Sequence, residues 1–411
     1  MSENQSAAGR GPIGRALHYL KNLYVVDYRL IVSIVFLLTF GLIMVYSASS
    51  AQYGVSMLRK QIFVAVVGFA GMILVSYIDY HVLIRLSFGL YLISLVSLFL
   101  VRIPGLGSTS HGASRWIEIG GFSFQPAELL KPAIIILLAF TLTELGRHVG
   151  RPVPTIIYVI LPAFLAAGMI YVLTRNLSTA LIVLGIAVVL FFVAHPNKRV
   201  WYWVIIGLAA IAIFAFLYYE LVITKEHAEA SNFRAGRILA WLYPEEYPSL
   251  SMQSRYALYA IGFGGLLGRG LGNGTVKYYL PEPMNDFIFA VIGEELGLIG
   301  CAAIIFLFAY QIWRIMTVAK HARDKTGGLL AAGIGAHVAL QVLLNIGVAI
   351  SLLPNTGISL PYISYGGSAL LLQMLEMGIV LNISRQIPGR RIVTQGESGS
   401  VRTSEGARKS A

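Results

Sequence analysis

Long apolar runs separated by brief polar breaks dominate the chain. Ten of them, at 30–46, 61–78, 82–101, 129–144, 155–173, 177–194, 200–217, 287–313, 329–353 and 367–383, have the length a helix needs to cross about 30 Å of hydrocarbon. The pattern predicts an all-α polytopic membrane protein of about ten transmembrane helices. It divides the chain into an N-terminal tail (1–29), a membrane domain (30–386) and a C-terminal tail (387–411). Both tails are poor in groups to bury, which predicts disorder in their outermost parts, 1–14 and 394–411. Most breaks between runs are short. Two are long: 102–128, and 218–285 between the seventh and eighth runs. The second carries Arg234, Arg237, Trp241, Tyr243, Gln253, Arg255 and Tyr256 ahead of a glycine-rich stretch, 262–274, too aromatic for a simple linker.

Composition agrees: 57% of residues are apolar and only 12% charged, a balance that a water-soluble surface of this size does not accommodate. The net charge of +12 suggests nucleic acid until the charges are placed. With both termini inside, the inner segments collect Arg10, Arg15, Lys21, Arg147, Arg151, Lys198, Arg199, Lys320, Arg323, Lys325, Arg390 and Arg391, among others. That bias orients the chain with its tails in the cytoplasm and attributes the charge to anionic lipid, with no nucleic-acid partner. The outer basic residues, from Arg59 to Lys277, run against the bias and call for an anionic partner of their own. The stretch 47–51 could pass for a signal-peptide cleavage site. The basic region before it is long for a signal, however, and losing the first run would leave an odd number of crossings, so this run is taken as a retained helix. Cys301 is the sole cysteine, which excludes an intramolecular disulfide and a cysteine-based metal site.

Three polar constellations interrupt this background. The first is Leu280-Pro-Glu-Pro-Met-Asn-Asp286, where Glu282 and then Asp286 stand at the mouth of the eighth run. A carboxylate there is costly unless something uses or neutralises it. Asp286 can act as a base, and it can equally cap the helix that follows. The second is Phe124-Gln-Pro-Ala-Glu-Leu-Leu-Lys131, preceded by Arg115 and Trp116. Pro126 suits a first helical turn, and Gln125, Glu128 and Lys131 then recur every third residue on one face. Glu128 and Lys131 can be a plain ion pair, yet Lys131 falls inside the span, where a charge has a partner or a task. The third is the stripe His337, Gln341 and Asn345, which reads best as interhelical hydrogen bonding. It is followed by an irregular Pro/Gly/Ser turn, 353–368, of the kind tolerated where it is buried in protein or lines a cavity.

Taken together these blocks resemble one family. Phe124 to Lys131, Leu280 to Ala290 with Gly293-Glu-Glu-Leu-Gly297, and Leu360-Pro-Tyr-Ile-Ser-Tyr-Gly-Gly-Ser368 are similar, in order, to the signatures of the SEDS proteins, whose branches include FtsW, RodA and SpoVE. Met44-Val-Tyr-Ser-Ala-Ser49 and Arg115-Trp116 also fit, so the resemblance covers all but the tails. Ser123-Phe-Gln-Pro126 and Gly293 to Gly297 incline it toward the division branch, FtsW. The resemblance implies a multi-pass enzyme of the bacterial cytoplasmic membrane that polymerises lipid II into glycan strands. It implies work beside a class B penicillin-binding protein and other divisome or elongasome membrane proteins. It places the catalytic aspartate on Asp286 and functional roles on Glu128 and Lys131. Arg115, Gln125, Arg234, Arg237, Gln253, Ser364, Tyr365, Gly366 and Ser368 join them as candidate substrate-binding residues. Two departures stand out. Met284-Asn285 replaces a common His-Thr before the aspartate, and Arg175-Asn-Leu-Ser-Thr179 replaces a common Pro-Asp-Leu-Gly-Thr.

The chemistry asks for little more. A sugar hydroxyl of one lipid II attacks the anomeric carbon of another and expels a lipid diphosphate. Because diphosphate leaves readily, one carboxylate base suffices, without the paired acid of a glycosidase. Direct displacement inverts the anomeric centre. The developing charge on the diphosphate wants Arg, Lys or a divalent cation, and no residue set is assigned to a metal. The rival is a flippase for the lipid-linked sugar, to which Glu294, Glu295 and Glu376, deep in their spans, would belong. A third reading is a non-catalytic scaffold.

Overall fold

A computed structural model of the chain describes residues 26–387, apart from 104, 111–112, 120–121, 196, 198–201 and 203–232. Nearly all of both tails and of the seventh apolar run lie outside the described residues. The helices are α1 (Tyr28–Tyr53), α2 (Ser56–Tyr77), α3 (Tyr80–Arg85), α4 (Ser87–Leu100), α5 (Pro126–Leu145), α6 (Leu161–Thr174), α7 (Leu177–Ala194), α8 (Phe233–Leu242), α9 (Pro248–Gly264), α10 (Ile288–His321), α11 (Lys325–Ala349) and α12 (Gly367–Arg385). Among the described residues, seven helical segments are long and apolar enough to span a membrane. The chain is a multi-pass membrane protein.

Local chemistry explains where these helices begin, break and end. Asp27 caps α1 and Asn176 caps α7, each accepting a backbone N–H from the first turn. The third apolar run, expected as one helix, divides at Leu86 (φ −92°, ψ 3°) into α3 and α4. The fifth begins with a π-helical turn, Ile156–Ile160, directly ahead of Pro162, which lacks the N–H an α-helix would need. α10 breaks at Gly297 (φ 66°, ψ −167°), backbone that favours glycine.

α5 runs through the interior of the bundle. It begins with Pro126 in its first turn, is buried along most of its length, and packs against α4, α7 and α11. α2 lies along α12, and α10 along α11 and α9. The main apolar core runs through the bundle, and two smaller apolar clusters stand apart from it.

The two long outer segments are not plain loops. The first folds as an antiparallel sheet of β1 (Gly107–Ser110), β2 (Ala113–Ile119) and β3 (Phe122–Phe124), in which Ile117 pairs with both Gly107 and Phe124. The all-α expectation holds for the bundle, to which the chain adds a small outer sheet. Arg102 and Arg115 fasten this region to the bundle by donating to the last carbonyls of α6 and to Arg175 O, where cations suit the helix dipole. The second segment contains α8 and α9.

Candidate active site

A cavity of about 680 Å³ opens where the sheet, α2, α5, α7 and α11 meet the two irregular stretches at 280–287 and 353–366. It lies at the end of the bundle that the charge bias assigns to the outside. Asp286, Gln125, Glu128, Lys131, Tyr365 and Gly366 all line it, so the three constellations converge on one space.

Each arrives by a different route. Pro126 starts α5 and sets Glu128 in its first turn, where a carboxylate complements the helix dipole. Lys131 Nζ lies 2.8 Å from Glu128 Oε2, with the lysine 1% exposed. Asp286 precedes α10, whose N-cap is Phe287 with no side-chain cap bond, so Asp286 does not hold the N-cap position. A Cβ on Gly357 would stand in ordinary contact, 3.4 Å from Asp286 Oδ2, and the φ of 68° at Gly357 favours glycine on the wall facing the acid. Glu282, also with positive φ, accepts from Asn285 Nδ2 at 2.7 Å and lines the same cavity.

The remaining candidates stand elsewhere. Ser368 lies under the floor, accepting the Gln125 backbone N–H at 3.2 Å. Ser364 accepts from Leu360 N and donates to Asn285 O. The Arg115 guanidinium donates to Thr174 O and Arg175 O. Arg237 and Gln253 meet at Asn355, through its carbonyl and its side-chain amide respectively. The Arg234 side chain lies outside the described residues.

Sequence reasoning passed over several lining residues. Arg59 and Lys60, at the first turn of α2, sit at the rim, and Trp116 and Glu118 reach it from β2. Their signal was present as a basic pair at an outer helix end, against the charge bias. Gln341 forms part of the cavity wall as well as bonding Gln373.

The deep acids behave differently. Glu294 accepts from the backbone N–H of Thr275 at 2.7 Å and of Val276 at 3.1 Å. Glu295 accepts from Ser47 Oγ at 2.6 Å, Gly272 N at 3.0 Å and Lys277 Nζ at 2.8 Å. Both are fully buried. The glycine-rich stretch is stitched into the break of α10, Arg269 N and Gly270 N donating to the Glu294 and Glu295 carbonyls. Irregular backbone is satisfied there by protein rather than water. Glu376 pairs with His337 Nδ1 at 2.8 Å. These carboxylates are committed to internal partners, which removes the observation that favoured a carrier.

The fold and cavity define a membrane-embedded protein with a polar cavity at its outer end. Residues 28–388 match the FtsW/RodA/SpoVE family, described as cell cycle proteins, and the chain belongs to it. It is 38% identical to stage V sporulation protein E of Bacillus subtilis over 87% of this chain and 97% of that one. It is 37% identical to a probable peptidoglycan glycosyltransferase FtsW of a Geobacter species over 88% and 98%. Among solved structures, a chain from a study of coordinated polymerisation and crosslinking by a peptidoglycan synthase complex aligns with TM-score 0.72 at 25% identity, covering 89% and 99%. The rod-shape-determining protein RodA of Thermus thermophilus aligns with TM-score 0.65 at 26% identity, covering 88% and 98%. Within the family the chain is FtsW-like.

Proposed function

We propose that this chain is a peptidoglycan glycosyltransferase that polymerises lipid II, with Asp286 as the general base. The observation that carries the reading is a single outward cavity in which Asp286 stands with the Glu128–Lys131 pair beneath a cationic rim of Arg59 and Lys60. The acceptor hydroxyl gives its proton to Asp286 as its oxygen bonds to the donor's anomeric carbon, and the lipid diphosphate leaves with the electron pair. Lys131 and the rim cations stabilise that departing charge. Among the described residues no cluster of three or more His, Cys, Asp or Glu is arranged to hold a metal ion. The names of the FtsW relatives and the synthase-complex neighbour support both the activity and a crosslinking partner, a class B penicillin-binding protein.

The test is polymerisation of purified lipid II by the solubilised chain with its cognate penicillin-binding protein, whose transpeptidase site is inactivated. Asp286→Asn should lower chain growth by about 10²–10⁴-fold, the usual worth of a general base. Equal glycan ladders from both proteins would retire Asp286 as the base. No polymer from either, in a complex shown to be intact, would overturn the transferase reading.

A further inference from the structure

Asp286 lies two residues before α10, just outside its N-cap Phe287. The first carbonyl that the helix engages is that of Phe287, which accepts from Ala290 N and Val291 N. The helix therefore does not fix the orientation of the peptide that carries the acid. Something else must, because a base misplaced by about 1 Å can lose about 10²-fold in rate.

Three consecutive carbonyls of this loop are held from outside it. Met284 O accepts from Tyr365 N at 2.9 Å, Asn285 O from Ser364 Oγ at 2.7 Å, and Asp286 O from Asn345 Nδ2 at 2.8 Å. Both side-chain donors also grip the opposite wall. Asn345 Nδ2 donates to Ile358 O at 2.7 Å, and Ser364 Oγ accepts from Leu360 N at 2.8 Å. Ser364 is itself held by Gln61 Nε2, which donates to its carbonyl at 3.1 Å. Asn345 is 1% exposed and Ser364 4%, and neither lines the cavity. They fasten two irregular stretches to each other without meeting the space a substrate would fill.

We propose that Asn345 and Ser364 are positioning residues for Asp286, joining the loop that bears the acid to the segment 358–364 so that the acid is held against the cavity wall at Gly357. This rests on the reading of Asp286 as the base. Each acts through two short hydrogen bonds, and the donor groups are what count. Asn345→Asp keeps the shape and removes both N–H groups. Ser364→Ala removes the hydroxyl, and Ser364→Thr keeps it.

The experiment compares initial polymerisation rates over a range of lipid II concentrations for wild type, Asn345→Asp, Ser364→Ala, Ser364→Thr and Asp286→Asn. Each is purified as a monodisperse complex with the penicillin-binding protein, so that unfolded protein does not enter the rates. Asn345→Asp and Ser364→Ala should lower kcat about 10- to 100-fold with KM changed less than about twofold. Ser364→Thr should recover several-fold over Ser364→Ala. If Asn345→Asp does not yield an intact complex, the Ser364 pair decides alone. An unchanged kcat, a rise in KM alone, or no recovery by threonine would overturn the proposal. Should Asp286→Asn polymerise like wild type, the reading of the base fails and takes the positioning with it. An inactive Asp286→Asn beside a wild-type Ser364→Ala would sink the positioning alone.

Discussion

Two lysine–glutamate pairs lie inside this bundle, each closed at 2.8 Å, and their surroundings differ completely. Lys277 and Glu295 are sealed. The ammonium donates also to Gly272 O and Ser47 Oγ, and the carboxylate accepts also from Ser47 Oγ and Gly272 N. Lys131 has Glu128 as its only ionic or hydrogen-bonding partner among the described residues, and both line the cavity. Burial does not separate them, since Lys131 and Lys277 are 1% and 3% exposed. What separates them is unspent hydrogen-bonding capacity. A buried ion pair with every donor and acceptor engaged holds backbone in place; one that faces a cavity with donors to spare can hold a substrate.

The comparison breaks most easily at the sealed pair. Lys277→Met leaves Glu295 charged and enclosed, and removing one partner of a buried pair costs about 3–5 kcal/mol. The expected result is a large fall in the thermal midpoint of the purified protein, with loss of monodisperse material. A midpoint near wild type would mean that the glycine-rich stretch does not depend on the pair. Lys131→Met should do the reverse. Glu128 borders a cavity that water can enter, so its charge is not stranded and the midpoint should move little. Polymerisation should fall about 10²–10³-fold, as when one donor to a developing anion is removed. Equal destabilisation by the two substitutions would erase the distinction.

The membrane class and the family were legible in the sequence, because apolar period and block order are local properties of a chain. The job of each polar residue was less so. Glu128 and Lys131 are three residues apart while Glu295 and Lys277 are 18 apart, so the chain announces the first pair and hides the second, and an intramembrane charge reads as functional by default. Only the path of the stretch 264–277 into the break at Gly297 reveals that Glu294 and Glu295 serve its backbone. In the same way Ser364 sits in a signature block that suggests substrate contact, while its hydroxyl is engaged with Leu360 and Asn285. The outer sheet was missed because its strands are short and lie in a stretch rich in glycine and serine. Arg59 and Lys60 were visible as charges against the bias but had no motif to place them.

A third cluster, exposed at the opposite end of the bundle, sharpens the comparison at its weak limit. His81 stands between Asp79 at 2.7 Å and Asp324 at 2.9 Å, its side chain 40% exposed. Burial opposes the charge on His81, but the hydrogen bonds its ring donates to the two carboxylates outweigh it and raise its pKa above the ordinary value. Burial likewise works against Asp79 and Asp324, while their bonds to the His81 and Gly327 backbone and to the His81 side chain hold both below the usual carboxylate range. The raised histidine contributes stability that is fully present below its unfolded pKa of about 6.5 and is lost as pH rises through its folded value. The two aspartates contribute above their unfolded value near about 3.9, and that part is lost as pH falls through their depressed folded values. Between these limits both parts are present. Raising the pH from about 6 to about 9 should therefore lower the thermal midpoint slightly, by less than about 1 kcal/mol of stability, because solvent screens the cluster. His81→Gln keeps a donor and removes the titration, so its midpoint should be flatter over that range. Tyr80, which donates to Asp324 Oδ2 at 2.9 Å, remains to hold the aspartate in either protein. A pH effect as large as the loss expected for Lys277→Met would mean that exposure does not weaken these pairs, and the distinction drawn between sealed and open ones would have to be rebuilt on geometry alone.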